Sequence, residues 1–258
     1  MGPPGACVKG SEVRPGYLSE VFVSFQGEGA WVGQRHLFVR LAGCNIRCRY
    51  CDTPGSLERT ARYQVRGPDG AVSAFDNPVA AGDAARTVRM LVAADGAVDA
   101  IALTGGEPLV QSAFLAELLG AGAFELPVLF ETNGVLPQRL PDVFPYVDMI
   151  SMDIKLPSNS GEPPFWDAHR AFLEASDGKA RYAKILVDEG TTDEDLERAS
   201  TLLASVRPRV AAYLQPITGP EDRSTIGAAR LTALFKLMRR RLPEVRVLPQ
   251  VHKMMGIH

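Results

Sequence analysis

Residues 43–53 read Gly43-Cys44-Asn45-Ile46-Arg47-Cys48-Arg49-Tyr50-Cys51-Asp52-Thr53 and hold three of the four cysteines of the chain. The spacing C-x3-C-x2-C brings three thiolates close enough to converge on one soft metal centre. A structural zinc site uses four closed ligands, whereas three cysteines on a [4Fe-4S] cluster leave one iron open for a substrate or a cofactor. Two alternatives are three free thiols on a loop and a zinc site completed by a distant histidine.

The aromatic Tyr50 directly before the last cysteine gives the pattern C-x3-C-x-aromatic-C, which resembles the signature of the radical S-adenosylmethionine (SAM) superfamily. In that superfamily the pattern lies on the loop after the first barrel strand, and the open iron binds the amino and carboxylate groups of SAM. The resemblance implies that the reduced cluster cleaves SAM to give a radical that abstracts a substrate hydrogen. The protein then positions the cofactors and excludes water. The resemblance also implies an external electron donor of the flavodoxin or ferredoxin type.

The length and charge of the chain are those of one ordinary α/β domain: 258 residues, a net charge of −2 and a pI near 6.1. This charge gives no sign of a nucleic-acid partner or an anionic membrane surface. We expect no membrane span either, because no apolar run approaches the roughly 18 to 20 residues that one needs. Clustered cysteines indicate metal binding in a reducing cytoplasm, with Cys7 as a bystander.

Short apolar strands alternate with amphipathic helices, which predicts an α/β fold of parallel βαβ units. Residues 1–16 are expected to form a flexible arm, residues 17–258 a single domain, and residues 55–80 an irregular insertion or short extra element. The predicted strands are 18–25, 36–41, 100–103, 127–130, 147–150, 182–187, 210–214 and 245–248. The predicted helices are 83–92, 108–119, 164–174, 193–203 and 226–240. Polar residues accumulate after the strands, where α/β barrels place their sites.

The combination of motifs along the chain resembles one group within this superfamily, the 7-carboxy-7-deazaguanine synthases, from about residue 18 to the C-terminus. Besides Cys51-Asp52-Thr53, the motifs are Phe25-Gln26-Gly27-Glu28-Gly29, Phe38-Val39-Arg40-Leu41, Thr104-Gly105-Gly106-Glu107-Pro108, Glu131-Thr132-Asn133-Gly134, Leu214-Gln215-Pro216 and Gln250-Val251-His252-Lys253. The resemblance implies an incomplete (β/α)6 TIM-like barrel with a family-specific insertion after the cluster loop, and usually a homodimer. It also implies ring contraction of 6-carboxy-5,6,7,8-tetrahydropterin to 7-carboxy-7-deazaguanine with loss of ammonia, with SAM regenerated.

The same resemblance assigns roles residue by residue. It implies that Cys44, Cys48 and Cys51 hold the cluster and that the Thr53 hydroxyl binds Mg²⁺, a cation that prefers oxygen ligands. The residues implied for SAM are Tyr50, Asp52, Gly105, Gly106, Glu107, Ser151, Asp153, Lys155 and Gln215. Those implied for the pterin are Phe25, Gln26, Gly27, Glu28, Arg40, Thr104, His252 and the C-terminal His258. Arg40 would pair with the substrate carboxylate.

Two other functions share part of this pattern. A glycyl-radical activating enzyme would have the cysteine motif and Gly105-Gly106-Glu107, but it gives no reason for Gln26-Gly27-Glu28-Gly29 or for the His-Lys tail. A non-catalytic iron–sulfur or zinc regulator would need no SAM site and is disfavoured by the missing fourth cysteine ligand.

Overall fold

A ten-stranded sheet organises the structure, a computed structural model that describes residues 15–219 and 222–257. The predicted arm lies outside these residues except for Pro15 and Gly16, and Gly16 pairs with Val79 in an isolated bridge. Cys7 and His258 also lie outside the described residues.

The ten strands are β1 (Leu18–Phe25), β2 (Arg35–Leu41), β3 (Arg62–Arg66), β4 (Val72–Asp76), β5 (Ala100–Gly105), β6 (Val128–Thr132), β7 (Met149–Asp153), β8 (Ala180–Val187), β9 (Ala211–Pro216) and β10 (Val245–Val247). Their order in the sheet is β10-β9-β8-β7-β6-β5-β2-β1-β3-β4. The neighbours from β2 to β10 in this order pair in parallel, whereas β1 runs antiparallel to β2 and β4 antiparallel to β3. This confirms the predicted parallel βαβ units.

The helices are α1 (Ala81–Asp95), α2 (Ser112–Gly122), α3 (Leu140–Val143), α4 (Pro157–Ser160), α5 (Trp166–Ala175), α6 (Asp193–Ser205), α7 (Ala228–Arg239) and α8 (Val251–Met254). The predicted helix at 108–119 begins as a 3₁₀ turn, Pro108–Gln111, and the Glu107 side chain caps it by accepting a hydrogen bond from the Leu109 N–H. Helix α6 begins after Thr192, which accepts a hydrogen bond from the Asp195 backbone N–H at 3.3 Å.

The sheet is bent into part of a barrel. Glu28 lies three residues after β1, and its Oε1 accepts a hydrogen bond at 2.9 Å from Gln215 of β9. Six strand spacings separate β1 from β9, which would be roughly 29 Å in a flat sheet, whereas three extended residues span only about 10 Å. The sheet must therefore curve. Six strand–helix units, beginning with β2 and ending with β9, form the incomplete barrel.

The insertion at 55–80 contains a regular β-hairpin. Strand β3 pairs in parallel with β1, and its alternation of buried Tyr63 and Val65 with exposed neighbours gives it one core-facing side. Asn77 ties the hairpin to β1, because its Oδ1 accepts from the Leu18 N–H at 3.1 Å and its Nδ2 donates to the Leu18 carbonyl at 2.8 Å. The hairpin extends the sheet beyond β1 and lies next to the cysteine loop in sequence.

The main hydrophobic core lies between the helices and the outer face of the sheet, where alternate residues such as Leu37, Val39 and Leu41 of β2 are fully buried. On the opposite, concave face, Phe38 stacks on Phe22 with ring centroids 5.0 Å apart. In the part of the chain that the structure describes, no helix combines the length and the apolarity that crossing a membrane requires.

Two buried histidines make the stability of the fold pH-dependent. His36 of β2 and His169 of α5 are both 0% exposed, and burial lowers the pKa of each from 6.5 to about 4. Each ring is therefore neutral in the folded protein at a pH where the unfolded chain protonates it. As the pH falls from about 6.5 to about 4, the free energy of unfolding should drop by up to about 3 kcal/mol for each histidine.

Urea unfolding at a series of pH values checks this expectation. His36→Phe replaces one ring by an apolar one beside Trp31 and Phe38, and it should remove that ring's contribution of up to about 3 kcal/mol to the acid-induced loss. His169→Phe should do the same independently. If the free energy of unfolding falls with pH in the same way in wild type and both variants, the two histidines are not the cause.

Candidate active site

One cavity of about 570 Å³ opens on the concave face of the sheet, within the size range of small-ligand sites. Its wall is formed by residues at or after the carboxyl ends of parallel strands, together with the turn after β1 and the C-terminal segment. Because β1 is antiparallel to β2, that turn starts at the amino end of β2 and crosses the concave face to reach β8 and β9. Strands distant in sequence thus contribute to one site.

The cysteine loop forms one side of the cavity. Cys44, Cys48 and Cys51 all line it, each half-buried and each a free thiol. Within the described residues, no three His, Cys, Asp or Glu side chains are gathered tightly enough to hold a single metal ion. A [4Fe-4S] cluster does not require such a gathering, because each thiolate binds a different iron. Three unpaired thiols on one cavity wall therefore fit a cluster with one open iron.

The loop is fixed by backbone contacts and by the absence of side chains at two glycines. The Gly43 N–H donates to the Ser56 carbonyl at 2.8 Å, and the Glu107 N–H donates to the Gly43 carbonyl at 2.9 Å. A Cβ on Gly106 would lie 2.4 Å from the Gly43 carbonyl oxygen, and one on Gly105 would lie 2.3 Å from that of Leu41. The end of β5 and the cysteine loop can approach this closely only because both positions are glycine.

Glu107 holds the strand ends together. Its carboxylate is 1% exposed and accepts hydrogen bonds from the Leu109 N–H at 3.0 Å, the Thr132 hydroxyl at 2.8 Å and the Asn133 N–H at 2.7 Å. Burial outweighs these bonds and raises the pKa of Glu107 to about 7. Glu107 and the buried Ser151 lie behind the cavity wall, and their binding of SAM stays a prediction.

A row of alternating charges crosses the cavity floor. Lys184 of β8 contacts Glu28 and lies 3.2 Å from Asp153 Oδ1, while Lys155 Nζ donates to Asp153 Oδ2 at 2.8 Å. The Lys155 ammonium also lies 5.5 Å from the centroid of the Tyr50 ring. Burial by itself would raise the pKa of Glu28, but the Lys184 ammonium outweighs burial, so the pKa of Glu28 lies below its ordinary value.

The C-terminal segment closes the cavity on the side of the cysteine loop. Gln250 Nε2 donates to both Asp52 Oδ2 and Glu28 Oε1 at 2.8 Å, and Lys253 Nζ donates to Asp52 Oδ2 at 3.1 Å. Partial burial would raise the pKa of Asp52, but these two donors bring it down to about 2. His252 packs against Gly27, where a Cβ would lie 2.0 Å from its Nδ1.

The residues predicted for the substrate come from β1 and the turn after it, from β2, from β5 and, with His252, from the C-terminal segment. Arg40 Nε donates to Glu20 Oε1 at 2.6 Å, and its guanidinium lies 5.6 Å from the centroid of the Phe22 ring. Gln26 Nε2 donates to Glu131 Oε1 at 3.1 Å. The cavity is also lined by the predicted residues Phe25, Gly27, Thr53, Thr104, Gly105 and Gln215.

Sequence reasoning assigned no role to several residues that line this cavity. They are Glu20, Glu131, Thr132, Asn133, Lys184, Gln250 and Lys253. Lys184 carried a signal, since it is the one charge within the otherwise apolar residues 182–187. Glu131 is likewise a charged residue within β6, directly after the apolar residues 128–130. Gln250 belongs to the terminal motif Gln250-Val251-His252-Lys253, in which the sequence assigns a role to His252 alone.

Residues 39–203 match the model of the radical SAM superfamily. A 7-carboxy-7-deazaguanine synthase from Geobacter sulfurreducens is 42% identical over 247 residues, which cover 94% of this chain and 98% of the relative. The chain belongs to the 7-carboxy-7-deazaguanine synthase family. Another 7-carboxy-7-deazaguanine synthase, from Methanopyrus kandleri, is 38% identical and covers 91% of both chains.

The fold agrees with the crystal structure of QueE from Escherichia coli, with a TM-score of 0.58 over 92% of this chain and 95% of that chain, at 21% identity. Membership of the radical SAM superfamily implies a [4Fe-4S] cluster and SAM, which the three free thiols on the cavity wall fit. Both relatives are named 7-carboxy-7-deazaguanine synthase, which does not favour the alternative that this chain is a glycyl-radical activating enzyme.

The close approach at Gly106 yields a test. Gly106→Ala would push the Gly43 and Ser56 carbonyls away, which should lower the free energy of unfolding by about 1 to 3 kcal/mol and reduce the iron bound on reconstitution. Gly55→Ala is the matched control, because a Cβ there meets nothing within 4 Å. Urea unfolding and iron determination report the two effects. Equal iron content in the two variants would show that the loop does not need this contact.

Proposed function

We propose that this chain converts 6-carboxy-5,6,7,8-tetrahydropterin to 7-carboxy-7-deazaguanine with release of ammonia, for 7-deazapurine biosynthesis of the queuosine or natural-product type. The supporting observation is that one cavity joins three free thiols to groups suited to both ends of this substrate. Arg40 offers a guanidinium for the carboxylate, and Gln26 with Glu28 offers acceptors for the amino and amide edge. The curated relatives named 7-carboxy-7-deazaguanine synthase support the same reaction.

The cluster is proposed to be held by Cys44, Cys48 and Cys51. When bound, the reduced cluster and SAM supply the radical chemistry that removes a hydrogen from the substrate. The chain's own contribution is to bind, orient and enclose. Asp52, Asp153, Lys155 and Gln215 line the cavity between the cysteine loop and the turn after β1, which supports their proposed contact with SAM.

The substrate site is proposed to use both charge and shape. Arg40 is paired with Glu20, so an incoming carboxylate would join or replace that partner. The stacked rings of Phe22 and Phe38 line the cavity beside Arg40 and offer a flat apolar wall to a flat ligand. Glu28, kept ionised by Lys184, accepts hydrogen bonds and donates none.

A magnesium ion is proposed to bind at the Thr53 hydroxyl, which lines the cavity 4.0 Å from Cys51 Sγ. Mg²⁺ retains several waters and uses few protein ligands, so one hydroxyl together with the substrate carboxylate fits its preferences. Removal of Mg²⁺ should lower turnover, and Thr53→Val should also lower it. Both results together would support this role.

Three further proposals concern the protein's surroundings. The cluster chemistry requires an external electron donor, proposed to be of the flavodoxin or ferredoxin type. Free thiols at the site fit a reducing cytoplasm.

A homodimer is proposed from the resemblance of the chain to its family, and light scattering should give twice the 27.9 kDa mass of one chain. A mass of 27.9 kDa at assay concentration would contradict the dimer.

The reaction is tested by anaerobic assay of the reconstituted protein with dithionite, SAM, Mg²⁺ and 6-carboxytetrahydropterin, following product mass and ultraviolet absorbance. Product should form without net consumption of SAM. Cys48→Ala should abolish turnover because it removes a proposed cluster thiolate, whereas Cys7→Ala, the matched control at the remaining cysteine, should retain it. Cleavage of SAM without this product would leave the cluster in place but reject the substrate and return attention to a glycyl-radical activating function.

A further inference from the structure

Lys184 is a buried charge in the middle of an apolar strand. It is 8% exposed and lies on β8 between Ala183 and Ile185, both fully buried. Its ammonium faces the cavity floor, where three carboxylates lie nearby: Glu28 in contact, Asp153 at 3.2 Å, and Glu131. A buried lysine is stable only where partners compensate for its lost hydration, so this environment is specific for a cation.

The two carboxylates that Lys184 contacts belong to different halves of the cavity. Glu28 lies in the turn proposed to bind the substrate, and its other oxygen accepts from Gln215 and Gln250 at 2.9 and 2.8 Å. Asp153 ends β7 and also binds Lys155, whose ammonium lies against Tyr50 of the cysteine loop. Lys184 is therefore the link between the proposed substrate side and the proposed SAM side.

Removing the Lys184 charge would change the ionisation of Glu28. The other charged groups that influence Glu28 are Asp52, Asp153, Glu131 and His252. Three of them are carboxylates, which together with burial favour the neutral acid. Burial lowers the pKa of His252, so its ring does not supply a compensating charge near neutral pH. Without Lys184, Glu28 would take up a proton and its carboxyl O–H would become a hydrogen-bond donor. This donor would face the amino and amide edge of the proposed substrate, which also presents donors.

We propose that Lys184 is a positioning residue that keeps Glu28 in the ionised, fixed form which recognises the substrate's amino edge, and that ties this carboxylate to Asp153 on the SAM side. The inference rests on the proposed function. Lys184 acts on the substrate through Glu28, which its ammonium contacts. Its effect should therefore appear in substrate recognition and its pH dependence more than in the rate of the bound complex.

The test measures kcat and KM for 6-carboxytetrahydropterin between pH 6 and 8.5 with reconstituted wild type, Lys184→Met and Lys184→Arg. Wild type should show a nearly constant KM over this pH range.

Lys184→Met should raise the KM about tenfold or more at pH 6.5, equivalent to about 1.4 kcal/mol. The KM of this variant should then fall as rising pH ionises Glu28. The kcat should change less than about threefold. Lys184→Arg keeps the charge and should restore the flat profile. Lys236→Met, an exposed lysine on α7, is the matched control and should behave as wild type.

A second set of variants keeps the proposal testable if Lys184→Met does not fold with its buried carboxylates unpaired. The pair Glu28→Gln and Glu28→Gln/Lys184→Met lacks the carboxylate on which Lys184 is proposed to act. Both should have the same raised KM, because no effect of Lys184 remains to be lost. If the second substitution raises KM further, or if Lys184→Met raises KM equally at every pH, the proposal is wrong. Absence of wild-type turnover would instead reject the proposed function.

Discussion

The bend of the sheet is the constraint on which the rest of this structure depends. It brings the turn after β1 against β8 and β9, strands that a flat sheet would hold far away. On the concave face that results, Lys184 and Gln215 can both donate hydrogen bonds to Glu28. The same bend separates two environments along each strand. Residues such as Leu37 and Val39 pack against helices, while their neighbours Phe38 and Arg40 face the cavity.

The cysteine loop depends on a second constraint, the close approach of two backbones. Gly105 and Gly106 let the end of β5 lie directly against Leu41 and Gly43, and Glu107 then fixes the end of β6 through Thr132 and Asn133. The Gly-Gly-Glu motif therefore has a structural role that does not depend on any ligand. In this structure the glycines line the cavity and the carboxylate lies behind the wall.

Eight of the ten strands could be predicted, because β1 alternates apolar and polar residues and most of the others are short apolar runs that end in a turn residue. The hairpin β3–β4 was described only as an irregular insertion or short extra element, for a physical reason. Strand β4 is exposed along its whole length, so it has neither an apolar face nor an alternation that a sequence pattern could show. Its position is decided by pairing with β3 and by the Asn77 bonds to β1, contacts that join residues distant in sequence.

The sequence by itself determined the family, through motifs that resemble those of its relatives, and the parallel α/β architecture, because runs of apolar residues are local features. The spacing of the three cysteines also predicts the cluster ligands. Only the tertiary structure decided which side chains complete the cavity. Glu131, Lys184 and Gln250 acquire their meaning from partners more than a hundred residues away, such as Gln26 and Glu28. A charge within an apolar strand shows in the sequence that something compensates for it. Which carboxylate does so depends on the curvature of the sheet, a property of all the strands together that no single stretch encodes.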